Sequence, residues 1–347
     1  MSNERHIAVI GGGIAGLAAA HELTFEANDA ARVHVHLFEA TSRFGGLMQS
    51  ASFAGRRVDM AADGFLARRP EAITLAQEIG MGASLIPMTS KGAAVVARGK
   101  VRPLPDGLAL GVPTQLASVA RSGILSPLGV ARLALDLIAP MPDRRGRLAD
   151  RALGPLIARR LGGQVADRLV EPMLGGIYAG GIAEASTAAL YPLLLEVAEQ
   201  EGSFMRALAS RAKAGVSPGP AHESGKITPA VAFAPKEMPA FFAVSGGMSA
   251  LVDATVSDLS RRAVTFHQSS LVSSLQRFKT QWQIVANTQT HTVDGVIVAT
   301  PAATAAGLLS PHDADVATVL GAIPYASVAV VTFAFASTPL ERSLYGT

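Results

Sequence analysis

Residues 7–47 read IAVIGGGIAGLAAAHELTFEANDAARVHVHLFEATSRFGGL, and the order of residue types in this stretch decides the fold. A β-branched strand, Ile7–Ile10, runs into Gly11-x-Gly13-x-x-Gly16. An alanine-rich helix follows, and then a second strand, Val33–Phe38, which ends at Glu39. Gly11 permits a tight turn, Gly13 lets backbone approach a pyrophosphate, and Gly16 lets the helix pack close to the sheet. The N–H groups that open the helix have no intrahelical partner and suit a phosphate, with Gly12, Ile14 and Ala15 among the expected contacts. Glu39 stands where an acid can accept hydrogen bonds from a ribose hydroxyl. Strand, glycines, helix, strand and acid in this order predict a dinucleotide site.

Just past the second strand come Ala40-x-x-Arg43-x-Gly45-Gly46 and Leu47. This extension resembles the flavin-dependent amine oxidase superfamily, in which the same turn lies against FAD. The resemblance implies non-covalent FAD. The chain contains no cysteine, which excludes disulfides, thiolate metal sites, a thiol nucleophile and a cysteinyl-linked flavin.

At 347 residues the chain can bury a sizeable core and is expected to hold two domains. Charged residues make up only 16% and mean hydropathy is +0.32, so the chain is unusually apolar. That fits a large apolar ligand cavity, peripheral contact with a membrane surface, or a surface awaiting a partner. A net charge of +3 without a polybasic run argues against nucleic acid. The N-terminal MSNERH leads directly into the first strand, and with the absence of cysteine this predicts a cytoplasmic chain without a cleaved targeting segment.

The fold class expected is α/β: a Rossmann-like FAD-binding domain with a helical insertion and an incomplete α+β substrate domain. The FAD-binding domain is assigned to 1–90 and 242–315, and a mainly helical substrate- or membrane-facing insertion to 91–211. Leucine and alanine recur there at helical spacing in LASVARSGIL, GVARLALDLIA, ALGPLIARRLG and QVADRLVEPML. Residues 212–241, with several prolines, read as a loop-rich connection. From Phe242 the pattern returns to α/β, with Gly246-Gly247-Met248 opening a helix, strands near Val264 and Leu271, a hairpin around Trp282 and a strand at Val296–Ala299. Residues 316–347 are expected to begin a substrate-domain sheet.

Three further stretches carry a closer resemblance. They are Val58-Asp-Met-Ala-Ala-Asp63-Gly-Phe-Leu-Ala-Arg-Arg-Pro70, Val101-Arg-Pro-Leu-Pro-Asp-Gly107, and Leu169-Val-Glu-Pro-Met-Leu-Gly-Gly-Ile-Tyr-Ala-Gly180. With the fingerprint, Gly246-Gly247-Met248 and Val298-Ala-Thr-Pro301, they make the chain similar to the bacterial porphyrinogen oxidases of haem biosynthesis, which act on coproporphyrinogen or protoporphyrinogen. The resemblance implies FAD-dependent, oxygen-coupled removal of six electrons from a porphyrinogen, with coproporphyrinogen III as the favoured substrate. It implies that Ala61, Ala62, Asp63 and Gly64 approach the flavin ring and that Val272 contacts the adenine end. It also implies that a loop with Gly175, Gly176, Tyr178 and Gly180 lies beside flavin and substrate. Neither a metal nor a side-chain nucleophile is required. Lys91, Arg98 and Arg102 are candidates for holding a substrate carboxylate. The chain departs from the family pattern at Ala61, where glycine is usual, and at Gly181, where Asp or Asn is usual. Another amine oxidase-type oxidoreductase, or a non-catalytic FAD-binding remnant, remain alternatives.

Family members continue beyond the point where this sequence stops, at Leu344-Tyr345-Gly346-Thr347. The expectation is a C-terminally truncated chain, through a shortened gene, a split gene with a partner chain, or a partial sequence. Val316–Leu340 carries no charge, but Pro324 and the strand formers Val328–Phe335 predict a helix end, a turn and a buried strand, not a membrane span. His34 and His36 alternate on one strand face and are read as packing, while His6, His21, His222, His267, His291 and His312 are read as scattered.

Overall fold

The computed structural model describes residues 4–25, 33–67, 69–88, 93–109, 111–138, 150–178, 180–200, 202–213, 220–223, 226–229, 239 and 241–337. The chain divides into two compact units, one of Met1–Met88 with Pro239–Ala334, the other of Thr89–Met238 with Phe335–Thr347.

The first unit is built on a parallel sheet. Strand β1 (Arg5–Ile10) leads through the glycine turn into helix α1 (Ile14–Phe25), which returns to β2 (Val33–Phe38). Much later in sequence come α2 (Met248–Leu259), β3 (Val264–His267), an antiparallel meander of β4 (Val272–Phe278), β5 (Gln281–Ala286) and β6 (Gln289–Val293), then β7 (Gly295–Val298) and α3 (Ala302–Leu309). The sheet order is β3-β2-β1-β7, with Ile7 level with Val35 and Gly295. Alternation of side chains along each strand divides the core in two. Val9, Val35 and Leu37 pack with Leu17, Val252 and Leu259 of the helices. Ala8, Ile10 and Phe38, from the opposite phase, pack with Val272, Ile284 and Val293 of the meander. A parallel sheet covered on both faces reads as the apolar run seen in β1. At the N-terminus of α2, Asp59 accepts from the Met248 N–H at 2.8 Å, satisfying one of the helix's open donors.

The second unit is mainly helical, with helices Leu116–Ser122, Pro127–Ile138, Leu153–Leu161, Glu171–Tyr178, Pro192–Gln200 and Phe204–Lys213. Its core gathers Leu133, Ile157, Leu161, Leu169, Leu194 and Phe204, and Tyr191 donates from inside it to Ala109 O at 2.8 Å. Residues 166–170 widen into a π turn just before Pro172. Proline has no N–H to donate, and its ring crowds the carbonyl four residues back, so the helix opens there instead of breaking.

Three expectations need correction. Val328–Phe335 forms no strand: the segment has no regular secondary structure and is exposed, with Val331 at 70% and Phe333 at 73%. Apolar β-formers need a ladder and a covering layer to become a strand, and this segment pairs with no strand among the described residues and stays exposed. Gly175–Tyr178, expected as a loop, completes the helix Glu171–Tyr178, anchored by the buried Leu169, Val170 and Leu174. The stretch 212–241, read as loop, contains the hairpin Pro220–Glu223 with Lys226–Pro229; most of the rest lies outside the described residues.

Candidate functional site

The glycine turn sits at the carboxyl ends of β1 and β2, where open α/β sheets hold ligands. Gly11 adopts φ +108, and a Cβ there would come within 2.7 Å of Ala299 O. A Cβ on Gly16 would strike Gly11 O at 1.9 Å, so this glycine is required for α1 to lie against the turn. Gly13 is different: a Cβ on it would meet nothing within 4 Å. Its missing side chain therefore serves no packing need inside the chain and leaves room on the ligand side. A cradle that a side chain would fill is what a pyrophosphate approaching backbone needs, and the residues present fit a dinucleotide.

Glu39 lies at the end of β2 with its carboxylate spread across the turn. Oε2 accepts from Gly12 N–H at 2.9 Å, and Oε1 accepts from the N–H and Oγ1 of Thr41, each at 2.8 Å. Oε1 thus uses both its lone pairs, while Oε2 keeps one free of protein donors, so capacity for one ribose hydroxyl is left. The following loop is tied to the glycines by a bond from Gly45 N–H to Gly12 O at 2.7 Å. Arg43, expected near the phosphates, donates instead to Phe44 O at 3.0 Å, Met48 O at 3.3 Å and Gly46 O. Its guanidinium shapes the loop.

A cavity of about 520 Å³ opens between these elements and gathers Gly11, Gly13, Ile14, Ala15, Glu39, Ala40, Gly45, Gly46, Leu47 and Val272. Gly12 and Gly16 lie behind its wall as described, and Arg43 faces a different surface depression. The sequence reading missed Phe38, Ser270, Thr300, Pro301 and Thr304, which also line it. Thr300 and Pro301 belong to Val298-Ala-Thr-Pro301, so a signal for them was present. A second, mostly apolar cavity of about 810 Å³ shares Ile14, Ala15, Leu47 and Met48 with the first. Ala62 and Gly64 line it, while Ala61 and Asp63 are exposed and line neither.

The remaining expected residues belong to the second unit. Gly175, Gly176 and Tyr178 lie on the helix Glu171–Tyr178, with Tyr178 half exposed, and Gly180 follows it. Arg98 occupies the turn between Ala94–Ala97 and Lys100–Pro103 with φ +55. Arg102 donates to Ala97 O at 3.2 Å and Ser122 O at 3.3 Å, so its guanidinium braces that hairpin. Lys91 lies outside the described residues.

Three of the histidines expected to be scattered, His6, His267 and His291, are not, whereas His21 and His312 lie apart. His6, His34, His36, His267 and His291 converge on the meander side of the parallel sheet. Among the described residues no group of three or more His, Asp or Glu side chains has the geometry to hold a metal ion. Nor is any helix among them long and apolar enough to cross a membrane.

The parallel sheet with its glycine turn and acid defines a flavin- or nicotinamide-type dinucleotide fold. The chain belongs to the family described as flavin containing amine oxidoreductase, which it matches over residues 14–346. Among its relatives, the coproporphyrinogen III oxidase of Propionibacterium freudenreichii subsp. freudenreichii is 31% identical, over 95% of this chain and 63% of that protein. The Staphylococcus aureus coproporphyrinogen III oxidase is 28% identical, over 86% and 60%. A crystal structure from Exiguobacterium sp. 255-15, assigned as a protoporphyrinogen oxidase, superposes with a TM-score of 0.71 at 24% identity, covering 89% of this chain and 62% of that one. The last comparison establishes likeness of fold. The chain spans about three fifths of the length of these relatives.

Proposed function

We propose that this chain carries the FAD-binding part of an oxygen-coupled oxidase that converts coproporphyrinogen III to coproporphyrin III. The observation that carries the reading is the similarity to coproporphyrinogen III oxidases over as much as 95% of the chain, together with a glycine turn open at Gly13. The balanced reaction removes six electrons and six protons from the macrocycle and reduces three molecules of oxygen to hydrogen peroxide. Non-covalent FAD held there would supply the two-electron redox chemistry that links the substrate to oxygen. The chain's own residues bind and orient. Backbone at Gly13, Ile14 and Ala15 meets the pyrophosphate, Glu39 meets a ribose hydroxyl, and Val272 borders the adenine. The mostly apolar cavity beside Ala62 and Gly64 offers space for a flat ring. No side chain is assigned a covalent or metal-binding role. The reading places the chain in the cytoplasm, with peripheral membrane contact and a partner chain as further proposals.

The protoporphyrinogen oxidase of Homo sapiens, 28% identical over 99% of this chain, supports a second substrate reading, protoporphyrinogen IX. The test is an aerobic assay of the FAD-supplemented chain on both porphyrinogens, following porphyrin fluorescence and oxygen uptake. Faster turnover of the coproporphyrinogen with three oxygens consumed per porphyrin is expected. Turnover of amines with neither porphyrinogen oxidised would return the chain to the broader amine oxidase class. A chain that binds FAD but turns over nothing would be the non-catalytic alternative.

A further inference from the structure

Strand register brings five imidazoles together beside the nucleotide cavity. His6 is level with His34, and His36 lies one step further along β2, level with Thr265 of β3. His267 lies level with Phe38, and His291 reaches the same face from β6 of the meander. Three of the rings form a hydrogen-bonded run. His6 Nδ1 and His36 Nε2 are 3.2 Å apart, and His36 Nδ1 and His267 Nε2 are 3.2 Å apart. The run ends under the cavity wall: His267 stacks on Phe38 with ring centroids 4.4 Å apart and planes 8° from parallel. Phe38 lines the cavity. The His267 carbonyl accepts from Glu39 N–H at 2.9 Å, and the Glu39 carbonyl accepts from Ser270 N–H at 2.8 Å, two residues before Val272.

Proton counting makes this run sensitive to acid. Three neutral imidazoles carry three N–H groups, enough to fill both 3.2 Å gaps and leave one at an end. One added proton can occupy the other end. A second forces two N–H groups to face each other across one gap and places like charges side by side. The surroundings supply little compensation. His34 Nε2 pairs with Thr265 Oγ1 at 2.8 Å, and the core on this face of the sheet, which includes Phe38, draws apolar Leu275, Ile284, Val298 and Leu308 from β4, β5, β7 and α3. His312 is engaged with Leu275 O at 2.6 Å. The carboxylate at the edge is Asp294, which accepts from the His6 N–H and from Gln281 and lies in the field of Arg5.

We propose that the run His6–His36–His267 is a pH-sensitive support for the nucleotide cavity, whose protonation loosens the meander from the sheet and releases the dinucleotide. The idea rests on the FAD reading above. His267 is thus a positioning residue that acts through Phe38 and Glu39. Burial first, then His34, His267, His6 and His291, holds the His36 imidazole down at about 4, against 6.5 when released. An imidazole so held favours the closed cavity above pH 6.5, and that preference is lost as pH falls towards 4.

The test is the Kd for FAD, read by flavin fluorescence near neutral-to-basic pH (about 8) and in mild acid (about 5.5), on the wild type, His36→Gln and His267→Phe. His267→Phe keeps an aromatic stack on Phe38, so a folding failure of His36→Gln does not remove the readout. The wild type should bind about tenfold more weakly in the acid buffer, His36→Gln should lose most of that difference, and His267→Phe should lose part of it. Equal wild-type affinity at the two pH values, or the same loss in both variants, overturns the coupling while leaving FAD binding intact. Absence of FAD binding at the higher pH defeats the FAD reading itself, and the coupling with it.

Discussion

Glu39 Oε2 accepts the backbone N–H of Gly12 at 2.9 Å, so the acid that the sequence marks as a ribose ligand is also a strut of the glycine turn. Gly12 is buried, and a Cβ on it would come within 2.9 Å of that carboxylate. The proposed cofactor contact and the turn geometry therefore meet in one side chain.

Replacing Glu39 tests both roles. Glu39→Ala leaves the Gly12 donor unsatisfied, at a cost of about 1–3 kcal/mol. It also removes the proposed ribose contact. Glu39→Gln keeps an acceptor and should lose less stability than FAD affinity. Urea unfolding beside an FAD titration separates the two, and equal losses for both variants in both assays would contradict the dual role.

The glycines of the turn should behave oppositely. Gly13→Val places a side chain where nothing lies within 4 Å, so the chain should fold as before and fail to bind FAD. Gly16→Ala drives a methyl into Gly11 O and should unfold or destabilise the chain by several kcal/mol, at the upper end of overpacking costs of about 1–3 kcal/mol or beyond. Circular dichroism and FAD binding on the two variants check this, and a folded, FAD-binding Gly13→Val would count against the cradle.

His21 is a polar group without a satisfied role in the core. It is 2% exposed, and neither ring nitrogen has a hydrogen-bond partner. Burial, and next the charge of Arg262, lowers its proton affinity, so the 3.5 Å contact with Glu78 is that of a neutral ring. The unfolded chain takes up a proton near 6.5, which the folded chain resists. Stability is therefore present above that pH and declines as pH falls below it. His21→Leu should be neutral or stabilising by up to about 1 kcal/mol and should flatten part of the acid slope. Thermal unfolding between about pH 8 and 5 shows whether it does.

In the second unit the buried Asp136 receives Ser203 Oγ at 2.8 Å, Phe204 N–H at 3.2 Å and Met205 N–H at 2.9 Å, capping the helix Phe204–Lys213. The Arg160 guanidinium lies 3.8 Å away. Asp136→Ala removes a buried partner from both and should cost about 3–5 kcal/mol. A loss below 1 kcal/mol in denaturant unfolding would show that the network is not needed.

How much of this was legible in the sequence follows from the range of each signal. Val33–Phe38 and the glycine turn depend on local pattern, and the structure reproduces that strand at both ends. Val328–Phe335 has the composition of a strand, but a strand also needs a neighbour, which composition does not encode. The imidazole run was invisible for a related reason. Residues 6, 36 and 267 meet only because β1, β2 and β3 lie side by side in that register, and sequence spacing carries no trace of it. Phe38 could have been found, since a residue directly before the acid at a strand's carboxyl end faces the ligand crevice.

The proposed FAD site of residues 11–47 is open to one decisive measurement, the visible absorption spectrum of the natively purified, FAD-supplemented chain. Oxidised flavin at about one per chain is expected in the wild type and none in a folded Gly13→Val variant. A folded wild-type chain that stays colourless with FAD in excess would contradict the proposed site.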